Sequence, residues 1–176
     1  MKLELKNIKI NLAFSEETIM FKADLYVNGK KCAYAENEGR GGCTYYRAYS
    51  RELLPLLQQA EAWAKSLPST FSTYGERTIE IKSNLEHWID DVICNKSNEN
   101  EQKKFEKKLA KNMLTKICYG NNQQYRMIGW KLTIEQMLMS PIGRLTLRNK
   151  IAELVNNGET ILNTNLPKDN FGNFNI

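Results

Sequence analysis

The sequence predicts an α+β protein, with an N-terminal antiparallel sheet and a mainly helical C-terminal half that contains a second short hairpin. Apolar and polar side chains alternate over residues 21–27, which is typical of a half-buried strand, and Asn28-Gly29 supplies the positive φ angles of a two-residue turn. Apolar residues recur at three- and four-residue spacing from Leu53 to Leu67. A hairpin, a third strand and a helix that covers them are therefore expected.

The N-terminal strands follow in chain order. Residues 3–12 alternate with a phase change at Lys6-Asn7, which predicts an opening strand with a bulge or bend. A two-residue turn at Asn28-Gly29 would place Leu25 opposite Cys32 and Ala23 opposite Tyr34. The segment 36–42 contains three glycines in four positions and is expected to be a mobile or specially shaped loop, after which 43–49 resumes as a strand.

The helix after the third strand is expected from about Leu54, because Pro55 suits the first turn of a helix. Pro68 ends it. The segment from Ser69 to Thr73 is rich in serine and threonine and is predicted to be a loop, followed by a short strand over 78–82.

The C-terminal half begins with two apolar stripes, over 85–93 and 105–114, that a polar stretch separates. Two helices or one interrupted helix are expected there, then a looser hairpin over 117–130. Thr133 is a candidate N-cap, and Pro141 and Gly143 are expected to interrupt the chain before a last helix from about Leu145 to Val155. The predicted division is a sheet-plus-helix module, 1–83, and a mainly helical module, 84–176, or one continuous domain.

The tail from Leu162 to Ile176 is rich in asparagine and ends with three apolar residues, Phe171, Phe174 and Ile176. These residues either pack back on the body or face a partner.

Composition limits the classes of function. The formal charge of +5 favours an anionic partner only weakly. The sequence contains four cysteines without a CxxC pair, and its first residues lead directly into charged sequence. Both features favour free thiols in the cytoplasm. No apolar run approaches the roughly 20 residues needed to cross a bilayer, so no membrane partner is expected. Residue types and spacings do not indicate the oligomeric state.

The first candidate binding element is Gly39-Arg40-Gly41-Gly42-Cys43. Backbone amides in a glycine-rich turn can converge on an anion, and the Arg40 guanidinium adds a fork of donors suited to a phosphate. The alternative is a flexible connection, because the lysine and the βαβ context of a P-loop are absent from the sequence.

The second candidate lies on the strand that follows. Tyr45, Arg47 and Tyr49 share one face, and Tyr46 shares the other with Thr44 and Ala48. Because an unpaired arginine is costly to bury, we expect Tyr45, Arg47 and Tyr49 on the exposed face, where rings can stack on bases and the guanidinium can hold a phosphate. An ordinary strand surface rich in aromatic residues is the alternative.

Catalytic and metal sites are not indicated. Cys43 is a candidate nucleophile with His87 as base, but no family signature accompanies the pair, and an ordinary thiol and a helix-face histidine are the simpler interpretation. Asp90 and Asp91 diverge on a helix, and no two cysteine or histidine residues stand at zinc-ligand spacing. We therefore expect no cofactor.

A lysine-rich segment lies within the helical half, with lysines at positions 103, 104, 107, 108 and 111 that Glu101 and Glu106 balance only in part. A solvated helix face and a surface that tracks phosphates are both compatible with it.

Two resemblances accompany these patterns. The β-β-β-α order resembles a double-stranded RNA-binding domain in topology only, since Ser50-Arg51-Glu52 stands where such domains place a Lys-Lys pair. Residues 25–31, 41–44 and 162–165 resemble small proteins of bacteriophages and related mobile elements. That group has no assigned activity, and the resemblance implies an accessory role such as countering a host defence.

The expected function is therefore non-enzymatic binding of a phosphate-bearing ligand, a nucleotide or nucleic acid, at Arg40, Gly41, Gly42, Tyr45, Arg47 and Tyr49. The alternatives are a protein–protein inhibitor of a host factor that acts through the helical half and tail, and a cysteine-dependent enzyme.

Overall fold

The computed structural model describes residues 1–75 and 77–167, apart from the side chain of Tyr74. It confirms the α+β class. The strands are β1 Leu3–Ile10, β2 Phe21–Val27, β3 Lys30–Asn37, β4 Tyr45–Ala48, β5 Thr70–Tyr74, β6 Arg77–Ile81, β7 Lys116–Gly120 and β8 Tyr125–Gly129. The α-helices are α1 Leu54–Lys65, α2 Leu85–Met113, α3 Ile134–Met139 and α4 Pro141–Asn156. The chain divides into two compact units, Met1–Glu99 and Asn100–Ile176.

The first unit is built on an antiparallel meander in the order β1-β2-β3-β4. The core face of the sheet consists of apolar side chains such as Leu25, Val27 and Ala35. Buried residues of α1 (Leu57, Ala60, Ala64) and of the N-terminal part of α2 (Leu85, Ile89, Ile93) complete this cluster. One face of the sheet is thus covered by helices, and the other carries the polar half of the strand alternation.

The expected phase change in β1 is confirmed as a register shift between Lys6 and Lys9, with Asn7 at a φ of 53°. The expected register of the next hairpin is wrong. Lys30 and Lys31 pair with Val27 and Tyr26 as a two-residue turn requires, but Leu25 then pairs with Ala33. Cys32 is the extra residue of a bulge.

The bulge decides which residues of β3 face the core. In the expected register Tyr34 would be buried, whereas the shift turns it to the open face and buries Ala33 and Ala35. The carbonyl of Cys32 is satisfied at 3.0 Å by the amide of Tyr49. The extra residue therefore leaves no orphaned acceptor at this position.

Three other expectations about elements are wrong. The segment Ser69–Thr73, predicted as a loop, lies largely in β5, which pairs along its whole length with β6. Helix α2 is a single uninterrupted helix of 29 residues. The last helix begins at Pro141 and not at about Leu145: the break after α3 falls at Ser140, and Pro141 lies in the first turn of α4, where its missing amide hydrogen costs nothing.

The second unit has its own apolar cluster, which includes Ile117 of β7, Ile134 and Met137 of α3, and Leu147 and Ile151 of α4. The predicted hairpin is confirmed as β7-β8. Thr133 caps α3 as expected and forms a capping box with Gln136.

The described part of the tail packs on β7 through a buried asparagine. The amide of Cys118 donates to Asn163 Oδ1 at 2.6 Å, and Asn163 Nδ2 donates to the Lys116 carbonyl at 3.0 Å. Phe171, Phe174 and Ile176 lie outside the described residues, so their expected role stays a prediction.

The four cysteines are free thiols, buried at Cys32 and Cys118 and exposed at Cys43 and Cys94. Over residues 1–75 and 77–167, no helix combines the length and the apolar character needed to span a membrane.

Candidate ligand-binding site

The open face of the sheet carries a cluster of three tyrosine rings. The ring of Tyr34 lies 5.8 Å from that of Tyr45 and 6.0 Å from that of Tyr49, in tilted arrangements. Arg47 is the cross-strand partner of Tyr34. We call these four residues, Tyr34, Tyr45, Arg47 and Tyr49, the tyrosine face.

The strand alternation in β4 confirms the expected orientation of its side chains. Tyr45 and Tyr49 are 52% and 46% exposed, and Arg47 is exposed, whereas Thr44 and Ala48 are buried. Burial raises the pKa of the half-buried Tyr46 on the core side to about 12, with a further contribution from the Glu61 carboxylate. Tyr46 therefore stays neutral at ordinary pH and belongs to the core.

Tyr49 is held in place by a polar cluster around Asp24. Its hydroxyl donates to one oxygen of the Asp24 carboxylate, and Asn7 Nδ2 donates to the other at 2.7 Å. Lys31 Nζ lies 2.9 Å from the same carboxylate and 4.6 Å from the centre of the Tyr49 ring. Partial burial opposes ionisation of Asp24, but these donors outweigh it and lower its pKa to about 2. The Tyr49 ring is therefore pre-positioned before any ligand arrives.

A cleft of about 410 Å³ opens beside the tyrosine face. Tyr34, Arg47 and Tyr49 line it together with Arg51, from the 3₁₀ turn that precedes α1. Within the described part of the chain, neither Arg47 nor Arg51 forms an ion pair. The cleft thus combines aromatic rings with two guanidinium groups whose donors are available to a phosphate or carboxylate.

Among the aromatic and cationic residues of this cleft, Tyr34 and Arg51 are absent from the site that the sequence predicts. The expected register places Tyr34 on the core face, because the bulge at Cys32 has no local signature in the sequence. Arg51 belongs to Ser50-Arg51-Glu52, the segment that stands where double-stranded RNA-binding domains place a Lys-Lys pair. Because the segment differs from that pair, the resemblance does not predict a ligand residue there. A signal for Arg51 exists, since it is a second arginine four positions after Arg47.

Arg40 lies in a different cleft, of about 390 Å³. Its lining includes Lys22 and three carboxylates, those of Glu16, Glu36 and Glu38. Among the described residues, this lining shares no member with the cleft of Arg47. The surrounding negative charge makes this cleft a poor site for a phosphate. The structure thus places Tyr45, Arg47 and Tyr49 on one exposed face, whereas Arg40 lines a different cleft from that of Arg47 and Tyr49.

The glycine loop has a defined shape that a buried asparagine organises. Asn37, 7% exposed, accepts from the amide of Gly39 at 2.8 Å and from the Thr18 hydroxyl at 2.7 Å. Its Nδ2 donates to the Gly42 carbonyl at 2.9 Å. The Gly39 carbonyl in turn accepts from the amide of Glu16 at 2.8 Å. The loop is therefore specially shaped, one of the two expected alternatives.

The amides of this loop do not all point at a common ligand position. The amide of Gly39 donates to Asn37, and that of Gly41 donates to the Thr18 hydroxyl at 3.2 Å. A Cβ on Gly41, which has a φ of +80°, would lie 2.2 Å from the Glu17 carboxylate. Gly42 faces open space. The geometry therefore does not support an anion cradle formed by consecutive amides, and Gly41 lies against a negative charge.

Two of the residues considered for catalysis, His87 and Asp90, have structural contacts, whereas the Cys43 thiol is exposed. His87 Nδ1 lies 3.1 Å from the Lys82 carbonyl, and Asp90 accepts from the Thr44 hydroxyl. Burial raises the pKa of Asp90, although the Thr44 hydrogen bond opposes the shift. Across the described residues, no group of three or more histidine, cysteine or acidic side chains is placed to hold a metal ion.

No protein-family model, no curated protein and no solved structure matches this chain. Its function has therefore to be inferred from the geometry of its own residues.

Proposed function

We propose that the protein binds a phosphate-bearing ligand, a nucleotide or nucleic acid, through the tyrosine face and the adjoining cleft. The observation that supports this proposal is the packing of Tyr34 against Tyr45 and Tyr49, beside a cleft that Arg47 and Arg51 line together with Tyr34 and Tyr49. Base rings stack on tyrosine, which contributes about 1–3 kcal/mol per base, and guanidinium groups hold phosphates through paired hydrogen bonds.

The binding role is non-enzymatic in this proposal, and its setting is that of a phage or mobile-element accessory protein that counteracts a host defence. The support for that setting is the resemblance in residues 25–31, 41–44 and 162–165. The support for binding without catalysis is the structural use of His87 and Asp90, each of which contacts a neighbouring protein group.

The test is a thermal-shift screen with mono-, di- and cyclic nucleotides and with short RNA and DNA, followed by affinity measurements on variants. We expect Arg47→Ala and Arg51→Ala each to weaken binding about tenfold or more, because a charge-assisted hydrogen bond contributes about 1.5–3 kcal/mol. Tyr45→Ala should weaken it by a similar amount through lost stacking.

Matched controls separate binding from folding. Tyr45→Phe keeps the ring and should bind like the wild type. Arg40→Ala should have a smaller effect than Arg47→Ala, because Arg40 lies among carboxylates. Arg148→Ala removes an exposed arginine from α4 and should have no effect. If none of the nucleotides or oligonucleotides stabilises the wild-type protein, the proposal is wrong.

A second candidate, an inhibitor that binds a host protein through the helical half, is favoured by one observation in the second unit. Met139, Ile142 and Leu145 are large apolar residues at the junction of α3 and α4, and they are 73%, 79% and 58% exposed. Apolar side chains in such a group are characteristic of protein contact surfaces. This candidate predicts a protein complex that survives treatment with nuclease.

A further inference from the structure

Five exposed lysines form one basic stripe along α2 in the second unit. They are Lys103, Lys104, Lys107, Lys108 and Lys111. At 3.6 residues per turn and a rise of 1.5 Å per residue, they fall within an arc of about 140° and about 12 Å of helix length. The stripe is therefore a continuous positive surface and not a set of scattered charges.

The charge of the stripe is largely uncompensated. Among the described residues none of the five lysines forms an ion pair. The carboxylate of Glu106 accepts a hydrogen bond from Gln102 at 2.9 Å instead. Like charges spaced three and four residues apart on a helix repel one another and destabilise it slightly. A polyanion laid along the stripe would relieve this repulsion.

The opposite side of the helix is already occupied by the second unit itself. The ring of Phe105 meets that of Tyr125 edge to face at 5.3 Å, and Asn112 Nδ2 donates to the Tyr125 hydroxyl at 2.9 Å. Leu109 is half-buried. A helix that inserts into a membrane surface needs a free apolar face, and α2 does not have one here.

We infer that this basic stripe binds the phosphate backbone of single-stranded nucleic acid, so that the ligand is a polymer and not a free nucleotide. The inference rests on the proposed function for the nature of the ligand and deepens it. Lysines act as point charges without geometric preference, which suits a backbone whose charges repeat regularly. Contacts to the phosphate backbone carry no base information, so the affinity that the stripe contributes is independent of base sequence.

The experiment compares three full-length proteins: the wild type, a stripe variant and a face variant. The stripe variant carries Lys104→Gln, Lys107→Gln, Lys108→Gln and Lys111→Gln, since glutamine matches lysine in helix propensity. The face variant carries Arg47→Ala and Arg51→Ala. A fourth protein with the same four lysines changed to arginine keeps the charge and serves as the control. Binding of a 20-nucleotide single-stranded DNA and of a mononucleotide is measured across a salt series.

For the stripe variant we expect affinity for the oligonucleotide to fall about tenfold or more. The slope of log affinity against log salt should fall by about 0.7 for each lysine that contacts a phosphate, which is about 3 for four lysines. Its affinity for the mononucleotide should be unchanged, and the arginine control should behave like the wild type.

The inference is overturned if the stripe variant keeps both the affinity and the salt slope of the wild type for the oligonucleotide. Vesicles of anionic phospholipid serve as a second polyanionic probe. The inference is also overturned if the stripe variant loses binding to these vesicles but keeps its binding to the oligonucleotide. The proposed function fails separately, if the face variant binds the mononucleotide and the oligonucleotide as tightly as the wild type does.

Discussion

At the scale of single residues, two polar side chains that are inconspicuous in the sequence fix the geometry of the glycine loop and of the tyrosine face. Asn37 shapes the glycine loop from a buried position, and Asp24 holds Tyr49 on the open face of the sheet. Asp24 satisfies three donors, from Tyr49, Asn7 and Lys31. Neither residue binds a ligand in our proposal, but each positions the groups beside it.

Asp24 should make the stability of the protein depend on pH. Its folded-state pKa, about 2, lies below the ordinary value of 3.8, so it stabilises the fold when it is ionised. That contribution is fully present above about pH 4 and is lost as the pH falls toward about 2. We expect Asp24→Asn to lower the free energy of unfolding by about 1–2 kcal/mol at pH 7 in urea denaturation.

The difference between wild type and variant should shrink steadily between about pH 4 and pH 2, and a difference that stays constant would contradict the assignment. Glu36→Gln is the matched control. Its carboxylate makes one surface ion pair, with Lys22 at 3.1 Å, and such pairs contribute little.

At the scale of elements, the continuity of α2 is the largest departure from expectation. Residues 95–102 interrupt the apolar stripe with polar side chains, yet contain neither proline nor glycine, so nothing in their backbone preferences breaks the helix. The helix runs from Leu85 to Met113. A break in hydrophobic periodicity is therefore not a break in the hydrogen-bonded backbone.

The continuity of α2 can be tested at Asn100, an exposed residue in the polar stretch. Proline inside a helix removes a backbone hydrogen bond and clashes with the preceding turn. We expect Asn100→Pro to lower the free energy of unfolding by about 3 kcal/mol, as measured by chemical denaturation.

Asn100→Ala, by contrast, should leave stability unchanged or raise it slightly, because alanine is the better helix former. Equal stability of the two variants would show that the polar stretch is a loop.

At the scale of the whole molecule, two units with separate apolar clusters carry chemically different surfaces. The first unit presents the tyrosine face. The second presents the basic stripe and the exposed apolar group around Ile142. The formal charge of +5 understates the local positive charge of the basic stripe, because it averages the five lysines with acidic side chains elsewhere in the chain.

A pull-down from host lysate, with and without nuclease, discriminates between the two candidate functions. We expect the wild type to retain nucleic acid, and Arg47→Ala to retain less of it. The pair Ile142→Ser and Leu145→Ser should retain it, since these side chains are exposed and their replacement leaves the core intact. The inhibitor would be favoured if the wild type retained a protein partner after nuclease treatment. The Ile142→Ser and Leu145→Ser variant would then lose that partner, and Arg47→Ala would keep it.

Much of the fold follows from local patterns. The alternation over 21–27, the Asn28-Gly29 turn, the stripe of α1 and the cap at Thr133 depend on neighbouring residues, and the structure confirms each of them. The exposure of Tyr45, Arg47 and Tyr49 follows from the same alternation together with the cost of burying an arginine.

The remaining features of the fold and of the candidate site were decided by tertiary structure alone. They depend on contacts between residues that are distant in the sequence. The bulge at Cys32 is recognisable only from the pairing of Leu25 with Ala33 and of Tyr26 with Lys31, yet it brings Tyr34 to the tyrosine face. Strand β5 exists through pairing with β6, and the amides of the glycine loop are oriented by Thr18 and Asn37. Local patterns specify which face of a strand is apolar, whereas register and loop geometry depend on long-range hydrogen bonds that periodicity does not encode.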